Sequence, residues 1–428
     1  MTHFRINGPT RLSGEVRISG SKNAALPILF ASLLTSDAVE LTNVPDISDV
    51  NDAILMLQQM GCTVRRQNHI LSLKSGLILS TTVPLEPANR IRGSILALGP
   101  LISRFGSARL PCPGGCVIGL RPIDLHVFSL KQLGVSIHFK DGYLIATTKG
   151  EPLRGTNVVM DKVSIGATLN VMMAATRASG KTHIVNAASE PEVRDTADFL
   201  NKMGANITFQ STRDGKCSLT ITGSANRLSG TIAHQIIPDR IEAGTFLVAA
   251  AVSGGCVTCL AVRPDHMEIM LQKLQEAGSH VKQGKDWISV DMRDRKLKAV
   301  SVTTAPYPGF PTDLQPLLCL LNMVGKGEGS ITETIFENRF MHVSELRRMG
   351  AKASIRGNTV STWGVNRLTG SFVKATDLRA SVSLVIAGCA ARGVTVVENA
   401  HLIDRGYENI EKRFADLGAS IVRCSIPM

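Results

Sequence analysis

The stretch "LNKMGANITF", residues 200–209, joins two different patterns at one glycine. Before Gly204 the apolar residues have helical spacing, and after it apolar and polar residues alternate as in a strand. A glycine at such a junction is typical of a helix C-terminus, where the residue after the last turn adopts a left-handed conformation. The stretch therefore predicts an amphipathic helix, a tight turn and a half-buried strand.

The same ending recurs along the chain as "LQQMG" at 57, "LKQLG" at 130, "LRRMG" at 346, "FADLG" at 414 and a looser "LQEAG" at 274. The terminal glycines lie 68 to 74 residues apart and are Gly61, Gly134, Gly204, Gly278, Gly350 and Gly418. A fixed period of this length indicates a repeated structural unit. The sequence therefore predicts six copies of one unit.

Each copy also contains an earlier, almost wholly apolar segment. These segments are "NAALPILFASLL", "GSILALGPLIS", "IGATLNVMMAAT", "AGTFLVAAAVSG", "LQPLLCLLNMVG" and "ASVSLVIAGCAA". A helix that is apolar on every side must be buried, whereas the amphipathic helix that follows covers the exterior. We expect an α/β unit of strand, buried helix, strand, amphipathic helix and strand, with buried helices at the centre and sheets outside.

The length of 428 residues is too great for one ordinary core, so the six copies are expected to form two lobes of three. This arrangement divides the chain near residue 234 and leaves a cleft between the lobes. Apolar residues make up 44% of the chain and aromatic residues only 4%, so aliphatic side chains and methionine must build the cores.

The formal net charge of +12 is compatible with nucleic acid, an acidic membrane surface or a small anionic substrate. Apart from "RDRKLK" at 293–298 the basic residues are scattered, and the few aromatic residues offer little surface for stacking on bases. Nucleic acid is therefore not expected as a partner.

The uncharged stretch 243–262 is long enough to raise the question of a membrane span, but its central Ser-Gly-Gly predicts a turn between a buried helix and a strand.

The sequence begins "MTHFRINGPT", which lacks the features of a secretory signal, and it contains nine cysteines, an odd number. We expect a cytoplasmic protein with mostly buried free thiols. Cys256 and Cys259 form a lone C-x-x-C in a strand-like segment without a second pair or nearby histidines, so neither a metal nor a redox site is expected there.

Unusual polar residues precede the predicted helices. Before the buried helices stand Lys22, Asn23, Arg92, Lys162, Ser164, Asp239, Arg240, Asp313, Asp377 and Arg379, and before the outer ones stand Arg121, Asp124, Glu190, Arg263, Arg339 and Arg405. Helix N-termini with neighbouring cations form sites for phosphate and carboxylate groups. The alternative is that these residues are only helix caps and surface ion pairs.

The motifs "SKNAALPILFASLL", "PGGCVIGLRPIDLH", "MDKVSIGAT", "PDRIEAGTF", "FPTDLQ", "FENRFMHVSEL", "DLRAS" and "HLIDRGYENIE" resemble, in this order and over essentially the whole chain, the UDP-N-acetylglucosamine enolpyruvyl transferases. The resemblance implies an inside-out α/β barrel of two lobes. Residues 22–234 would form the N-terminal lobe, which carries the catalytic loop 111–122. Residues 1–21 and 235–428 would form the C-terminal lobe, with the active site in the cleft. The implied reaction moves the enolpyruvyl group of phosphoenolpyruvate onto the 3-hydroxyl of UDP-N-acetylglucosamine and releases phosphate, in the first committed step of peptidoglycan precursor synthesis.

The resemblance also assigns substrate-binding residues. Phosphoenolpyruvate would be held by Lys22, Asn23, Arg121 and Arg405. UDP-N-acetylglucosamine would be held by Arg92, Arg121, Pro122, Ile123, Asp124, Leu125, Lys162, Val163, Ser164, Ile165, Asp313 and Ile335. No cofactor, metal or obligatory protein partner is implied.

The chemistry needs an acid that protonates the methylene carbon of phosphoenolpyruvate and a base that accepts the proton of the sugar hydroxyl. Cys116 is the expected acid, because nearby cations lower the pKa of a thiol, and as a thiolate it would also form the family's covalent phospholactoyl adduct and react with fosfomycin. Asp313 is the expected base, and its alternative role is N-capping alone. Lys22 and Arg405 would offset the charge of the reacting anions.

Two other functions compete with this interpretation. The sister enzyme, enolpyruvylshikimate phosphate synthase, has the same six units but lacks the cysteine loop, so "PGGCVIGLRP" and "DKVSIGAT" favour the sugar nucleotide. A catalytically inactive regulatory or binding protein would have lost the acid or the base, and both are present.

Overall fold

The computed structural model describes residues 2–112, 123–211, 216–224, 228–229 and 232–425. These described residues form two compact units. We call the described residues from 20 to 237 the N-unit, and those up to 19 together with those from 238 onward the C-unit. Each unit has its own core of buried aliphatic side chains.

The strands, in chain order, are β1 (Thr2–Gly8), β2 (Ser13–Arg17), β3 (Ala38–Thr42), β4 (Thr63–Gln67), β5 (Ile70–Lys74), β6 (Ser107–Pro111), β7 (Ser136–Lys140), β8 (Tyr143–Thr147), β9 (Asn157–Val159), β10 (Lys181–Val185), β11 (Asn206–Ser211), β12 (Cys217–Thr222), β13 (Ile232–Gln235), β14 (Cys256–Leu260), β15 (His280–Gln283), β16 (Trp287–Asp291), β17 (Val302–Thr303), β18 (Glu328–Thr332), β19 (Lys352–Arg356), β20 (Thr359–Trp363), β21 (Phe372–Lys374), β22 (Gly393–Glu398) and β23 (Ser420–Ser425). The helices are α1 (Lys22–Ala31), α2 (Ser48–Gln59), α3 (Leu85–Arg90), α4 (Leu98–Phe105), α5 (Asp124–Gln132), α6 (Ile165–Ala175), α7 (Pro191–Lys202), α8 (Arg240–Ser253), α9 (Glu268–Glu276), α10 (Gln315–Val324), α11 (Met341–Arg348), α12 (Leu378–Ala390) and α13 (Ile410–Asp416).

The described strands form three sheets in each unit, and the sheets share one topology. In the N-unit the strand orders are β13-β3-β5-β4, β6-β8-β7 and β11-β12-β10-β9; in the C-unit they are β15-β16-β14-β2, β17-β18-β20-β19 and β21-β22-β1-β23. Each four-stranded sheet has one parallel edge pair, such as β13 and β3, followed by two antiparallel pairs. In the three-stranded sheet a parallel bridge from Thr82 to Arg109 occupies the place of that edge strand. The six repeated units predicted from the glycine period are therefore present.

The first strands of the chain complete sheets of the C-unit. Strand β1 pairs antiparallel with both β22 and β23, and β2 pairs parallel with β14. Strand β13, the last strand of the N-unit, supplies the parallel edge of the first sheet of that unit. Along the described residues the polypeptide passes from one unit to the other after residue 19 and after residue 237.

The six apolar segments form the buried helices, as the sequence predicted. Every residue of α10 except Val324 is buried, and α8 and α12 are buried over nearly their whole length. These three helices contact one another in the C-unit. In the N-unit the second copy departs from a plain helix, because a 3-10 helix over residues 92–97 precedes α4 and contacts both α1 and α6.

The repeated glycines have the conformation that the sequence predicted. Their φ angles lie between 93° and 107° in all six copies, each just after an outer helix. At Gly204 and Gly350 an added Cβ would have open space, so conformation and not crowding favours glycine there.

The stretch 243–262 consists of most of α8, a left-handed turn at Gly254 and strand β14. No described helix is both long and apolar enough to span a bilayer.

Candidate functional site

Lys22 and Asn23 are the first two residues of α1, the first buried helix of the N-unit. The Lys22 Nζ lies 3.3 Å from Oδ2 of Asp49, a buried residue in the first turn of α2. Burial of a cation is tolerated because a carboxylate lies this close. The pairing holds the ammonium group at the N-terminal end of α1, next to backbone N–H groups that carry no intrahelical partner. This end of the helix is suited to binding an anion.

The residues predicted to hold the nucleotide start three other helical segments of the N-unit. Arg92 begins the 3-10 helix, Asp124 begins α5, and Ser164 caps α6 by accepting a hydrogen bond from the Ala167 N–H at 3.3 Å. Asp124, Lys162 and Ile165 are exposed, whereas Arg92, Ile123, Leu125, Val163 and Ser164 are half-buried. These side chains are therefore accessible to a ligand at the helix starts.

His126 and Asn170, which sequence reasoning missed, connect these helix starts. The Asn170 amide oxygen accepts from the Gly99 N–H at 2.8 Å, and its Nδ2 donates to the Ile95 carbonyl at 3.0 Å. That orientation also directs Nδ2 at Nδ1 of His126, at 2.8 Å. Burial, reinforced by the charge of Arg92, lowers the pKa of His126 to about 4. The imidazole is therefore neutral near pH 7, and its unprotonated Nδ1 accepts the amide hydrogen bond.

In the C-unit, Asp313 lies in a 3-10 turn over Thr312–Leu314 just before α10. Its Oδ1 accepts from Nη2 of Arg339 at 2.7 Å, and its Oδ2 accepts from Nη2 of Arg379 at 2.9 Å and Nε at 3.2 Å. The N-cap residue of α10 is Leu314, and N-capping alone does not account for the two arginines that bind Asp313. Both arginine side chains are only 4% exposed, while that of Asp313 is 26% exposed. The arginines orient the carboxylate and leave part of it exposed to a ligand.

Tyr407 extends this cluster into the interior. Nη1 of Arg379 donates to the Tyr407 hydroxyl at 3.2 Å, and the same hydroxyl lies 2.8 Å from Oγ1 of Thr245. Thr245 gives its own proton to the Ile241 carbonyl, so Tyr407 is the donor to Thr245. Burial raises the pKa of Tyr407, so the hydroxyl keeps the proton that this arrangement requires. Tyr407, itself bonded to Thr245, thus helps to fix the position of the Arg379 guanidinium by a hydrogen bond.

The other two predicted residues of the C-unit lie in separate segments. Arg405 is the half-buried last residue of a 3-10 helix over Ala400–Arg405, two residues before Tyr407. Ile335, which is 38% exposed, follows β18 in a segment without regular structure. Arg339 and Arg379 occur in the motifs "FENRF" and "DLRAS", but nothing in these motifs indicates that both arginines bind the same carboxylate.

The predicted acid Cys116 lies outside the described residues, as do Arg121 and Pro122. Strand β6 leads toward that loop, and the backbone N–H of Cys112 donates to the Gly142 carbonyl at 2.9 Å. The described cysteines form no disulfide bonds, and they divide evenly between buried and half-buried positions. The expectation of mostly buried thiols is therefore only half right. Cys256 and Cys259 lie in β14, with Cys259 fully buried.

Comparison with known proteins gives the class of the chain. The profile of the family described as EPSP synthase (3-phosphoshikimate 1-carboxyvinyltransferase) matches residues 6–414. The crystal structure of the enolpyruvyl transferase NikO from Streptomyces tendae has a TM-score of 0.90 at 24% identity and covers 100% of this chain and 99% of its own. EPSP synthase from Acinetobacter baumannii has a TM-score of 0.78 at 17% identity and covers 99% of this chain and 100% of its own. The chain thus has the two-domain enolpyruvyl transferase fold, and the inside-out α/β barrel predicted from the sequence is confirmed.

Full-length relatives narrow the class further. The UDP-N-acetylglucosamine 1-carboxyvinyltransferases of Yersinia pestis (strain Pestoides F) and Yersinia pseudotuberculosis serotype O:1b (strain IP 31758) are each 53% identical over 423 residues. The alignments cover 99% of this chain and 99% of each relative. The chain belongs to the UDP-N-acetylglucosamine 1-carboxyvinyltransferase family.

Proposed function

We propose that this chain transfers the enolpyruvyl group of phosphoenolpyruvate to the 3-hydroxyl of UDP-N-acetylglucosamine and releases inorganic phosphate. The product enters peptidoglycan synthesis. The observation that carries this function is the 53% identity to enzymes of that name over 99% of the chain.

Charge neutralisation brings together two substrates that repel each other. Phosphoenolpyruvate and the nucleotide diphosphate are both anions, so their approach in water is unfavourable. We assign Lys22, Asn23, Arg121 and Arg405 to phosphoenolpyruvate, and Arg92 with the starts of α5 and α6 to the nucleotide. The ion pair of Lys22 with Asp49 supports this assignment, because it fixes the ammonium group at a helix N-terminus.

Asp313 is proposed as the base for the sugar hydroxyl, and Ile335 as a contact of the sugar. The hydroxyl oxygen bonds to C2 of phosphoenolpyruvate while its proton passes to Asp313. Two arginines orient the carboxylate, which favours a hydrogen bond from the incoming hydroxyl. Proton transfer from that hydroxyl then accompanies formation of the C–O bond.

Cys116 is proposed as the acid that delivers a proton to C3 of phosphoenolpyruvate during the addition. The addition product then loses a proton from the new methyl group and expels phosphate, which restores the carbon–carbon double bond. If the Cys116 sulfur attacks C2 instead, the thiol adds across the double bond: the sulfur bonds to C2 and the thiol proton ends on C3, which gives the phospholactoyl adduct. We further propose that the reaction takes place in the cytoplasm, because the described cysteines are free thiols.

An assay of phosphate release and product mass tests this function. The protein is incubated with phosphoenolpyruvate and UDP-N-acetylglucosamine, and released phosphate and the mass of the nucleotide product are measured. A parallel reaction replaces the nucleotide with shikimate 3-phosphate, the substrate of the sister enzyme. Phosphate release with the nucleotide alone is expected. Release with shikimate 3-phosphate alone would move the chain to the sister activity, and release with neither would overturn the proposal.

A further inference from the structure

A buried carboxylate outside the proposed catalytic set ties two parts of the site together. Glu333 follows β18 in the C-unit, and only 2% of the residue is exposed. We propose that Glu333 is a positioning residue that holds the base Asp313 and the sugar-contacting segment at Ile335 in one fixed arrangement. The inference rests on the proposed function, because it presumes those roles for Asp313 and Ile335.

One oxygen of Glu333 organises the segment after β18. Its Oε1 accepts from the backbone N–H of Ile335 at 2.8 Å and of Phe336 at 3.2 Å. The same oxygen accepts from the hydroxyl of Thr304 at 2.9 Å. Thr304 in turn holds Thr334 by two hydrogen bonds. The Thr304 hydroxyl oxygen accepts from the Thr334 N–H at 2.9 Å, and the Thr304 carbonyl accepts from the Thr334 hydroxyl at 2.6 Å. These bonds fix the backbone on which Ile335 is exposed.

The other oxygen of Glu333 leads to the base. Its Oε2 accepts from the hydroxyl of Thr312 at 2.7 Å. Having donated its proton to Glu333, Thr312 accepts at Oγ1 from Nη1 of Arg339 at 2.8 Å. Nη2 of the same guanidinium donates to Asp313 at 2.7 Å. A continuous series of hydrogen bonds therefore runs from Ile335 through Glu333, Thr312 and Arg339 to Asp313.

This connection has a geometric consequence for the reaction. A buried carboxylate is stable only when its oxygens are hydrogen-bonded, and the donors found here come from three separate segments of the chain. Because each donor is held by the same side chain, the sugar-contacting backbone and the Thr312–Asp313 turn keep their relative positions. A displacement of about 1 Å between a base and its substrate can cost about a hundredfold in rate. Glu333 acts through these neighbours and is not itself a catalytic residue.

The test is Glu333→Gln, which keeps the volume but replaces one acceptor oxygen with an amide donor. The three donors at Oε1 favour the amide oxygen there, so the amide nitrogen faces Thr312, cannot accept from it, and breaks the series of hydrogen bonds at that point. We expect kcat to fall about tenfold or more and KM for UDP-N-acetylglucosamine to rise, while KM for phosphoenolpyruvate stays within about twofold. Glu328→Gln, at the exposed first residue of β18 five residues earlier, is the matched control and should behave as the wild type.

Variants of Thr312 separate positioning from a loss of folding. Thr312→Ser keeps the hydroxyl and should retain kcat within about twofold, whereas Thr312→Val should reproduce the loss seen in Glu333→Gln. The double variant Thr312→Val with Glu333→Gln should be less than about twofold worse than the poorer single variant, because both changes break the same connection. Thermal unfolding of each variant shows whether it is folded at the assay temperature.

The outcomes distinguish the inference from the proposed function. Wild-type kcat and KM in Glu333→Gln would overturn the inference and leave the function intact. Equal rises in both KM values, or a Thr312→Ser variant as impaired as Thr312→Val, would also overturn it, because a general structural role predicts those results. A wild-type protein that releases no phosphate would overturn the function, and the inference with it.

Discussion

Asp313→Asn is expected to have two separate effects, one on turnover and one on stability. The substitution keeps the shape of the side chain and one acceptor oxygen but removes the negative charge. Turnover should fall roughly a hundredfold or more, because the amide cannot accept the hydroxyl proton, whereas nucleotide binding should largely survive. The effect on stability follows from the two arginines that bind this carboxylate.

Removal of the charge leaves two buried guanidinium groups without their counter-ion. The Arg339 and Arg379 side chains are each 4% exposed, and breaking a buried ion pair of this kind costs about 3–5 kcal/mol. Asp313 is 26% exposed, and the asparagine oxygen still accepts from one arginine, so we expect a smaller loss of about 2–3 kcal/mol. For a unit of this size that loss corresponds to a fall of roughly 4–12 °C in Tm.

Phosphate release at saturating substrates and scanning calorimetry measure the two effects on the same preparation. Asp291→Asn is the control, because Asp291 pairs with the exposed Arg293 at 2.7 Å and such a pair contributes less than about 1 kcal/mol. The control should keep both Tm and turnover. Wild-type turnover in Asp313→Asn would remove this residue from the mechanism. An unchanged Tm would show that the two arginines do not depend on its charge.

Three further predictions concern the loop, the acid and a buried histidine. Cys116→Ala should abolish phosphate release, whereas Cys116→Asp should keep substantial activity and resist fosfomycin. A carboxyl group can donate a proton but is a poor nucleophile toward an epoxide. A Cys116→Asp variant as inactive as Cys116→Ala would refute the assignment of Cys116 as the acid. UDP-N-acetylglucosamine should slow proteolysis within residues 111–122, and equal cleavage with and without it would refute closure of the loop on the nucleotide. Burial lowers the pKa of His126 to about 4, so its contribution to stability is present above pH 6.5 and is lost as the pH falls toward 4. Between pH 7 and pH 5 the wild type should lose about 2 kcal/mol more of unfolding free energy than His126→Gln, as measured by urea denaturation, and equal losses would contradict the buried neutral imidazole.

The repeated architecture could be predicted from the sequence because its signals are local. A glycine with positive φ after an amphipathic helix, as at Gly204, needs only the neighbouring residues to be recognised. An apolar segment such as α10 is likewise identified as buried by its own composition. Six repetitions of these local signals were enough to give the units and their order.

The network around Asp313 could not be predicted in the same way, because its members meet only in the folded chain. Arg379 lies 66 residues from Asp313, and Tyr407 lies 162 residues from Thr245. Each residue taken singly fits a helix cap, a surface ion pair or a core aromatic residue equally well. Only tertiary packing shows that Arg339 and Arg379 approach the same carboxylate from two segments of the C-unit.

The repeat also explains why this carboxylate in particular is available for chemistry. An aspartate stands near the start of each buried helix of the C-unit, and two of the three act as caps. Asp239 accepts from the N–H groups of Ile241 and Glu242, and Asp377 accepts from those of Arg379 and Ala380. Such aspartates are occupied by their own helices.

Asp313 differs because it lies within a 3-10 turn, so that Leu314 and not the aspartate is the N-cap residue of α10. Both oxygens of Asp313 accept from arginines. The same residue type near the same place in the repeat thus caps a helix in two copies and binds two arginines in the third. Because the turn over Thr312–Leu314 makes this difference, the segment that contains Thr312 determines which groups the carboxylate meets.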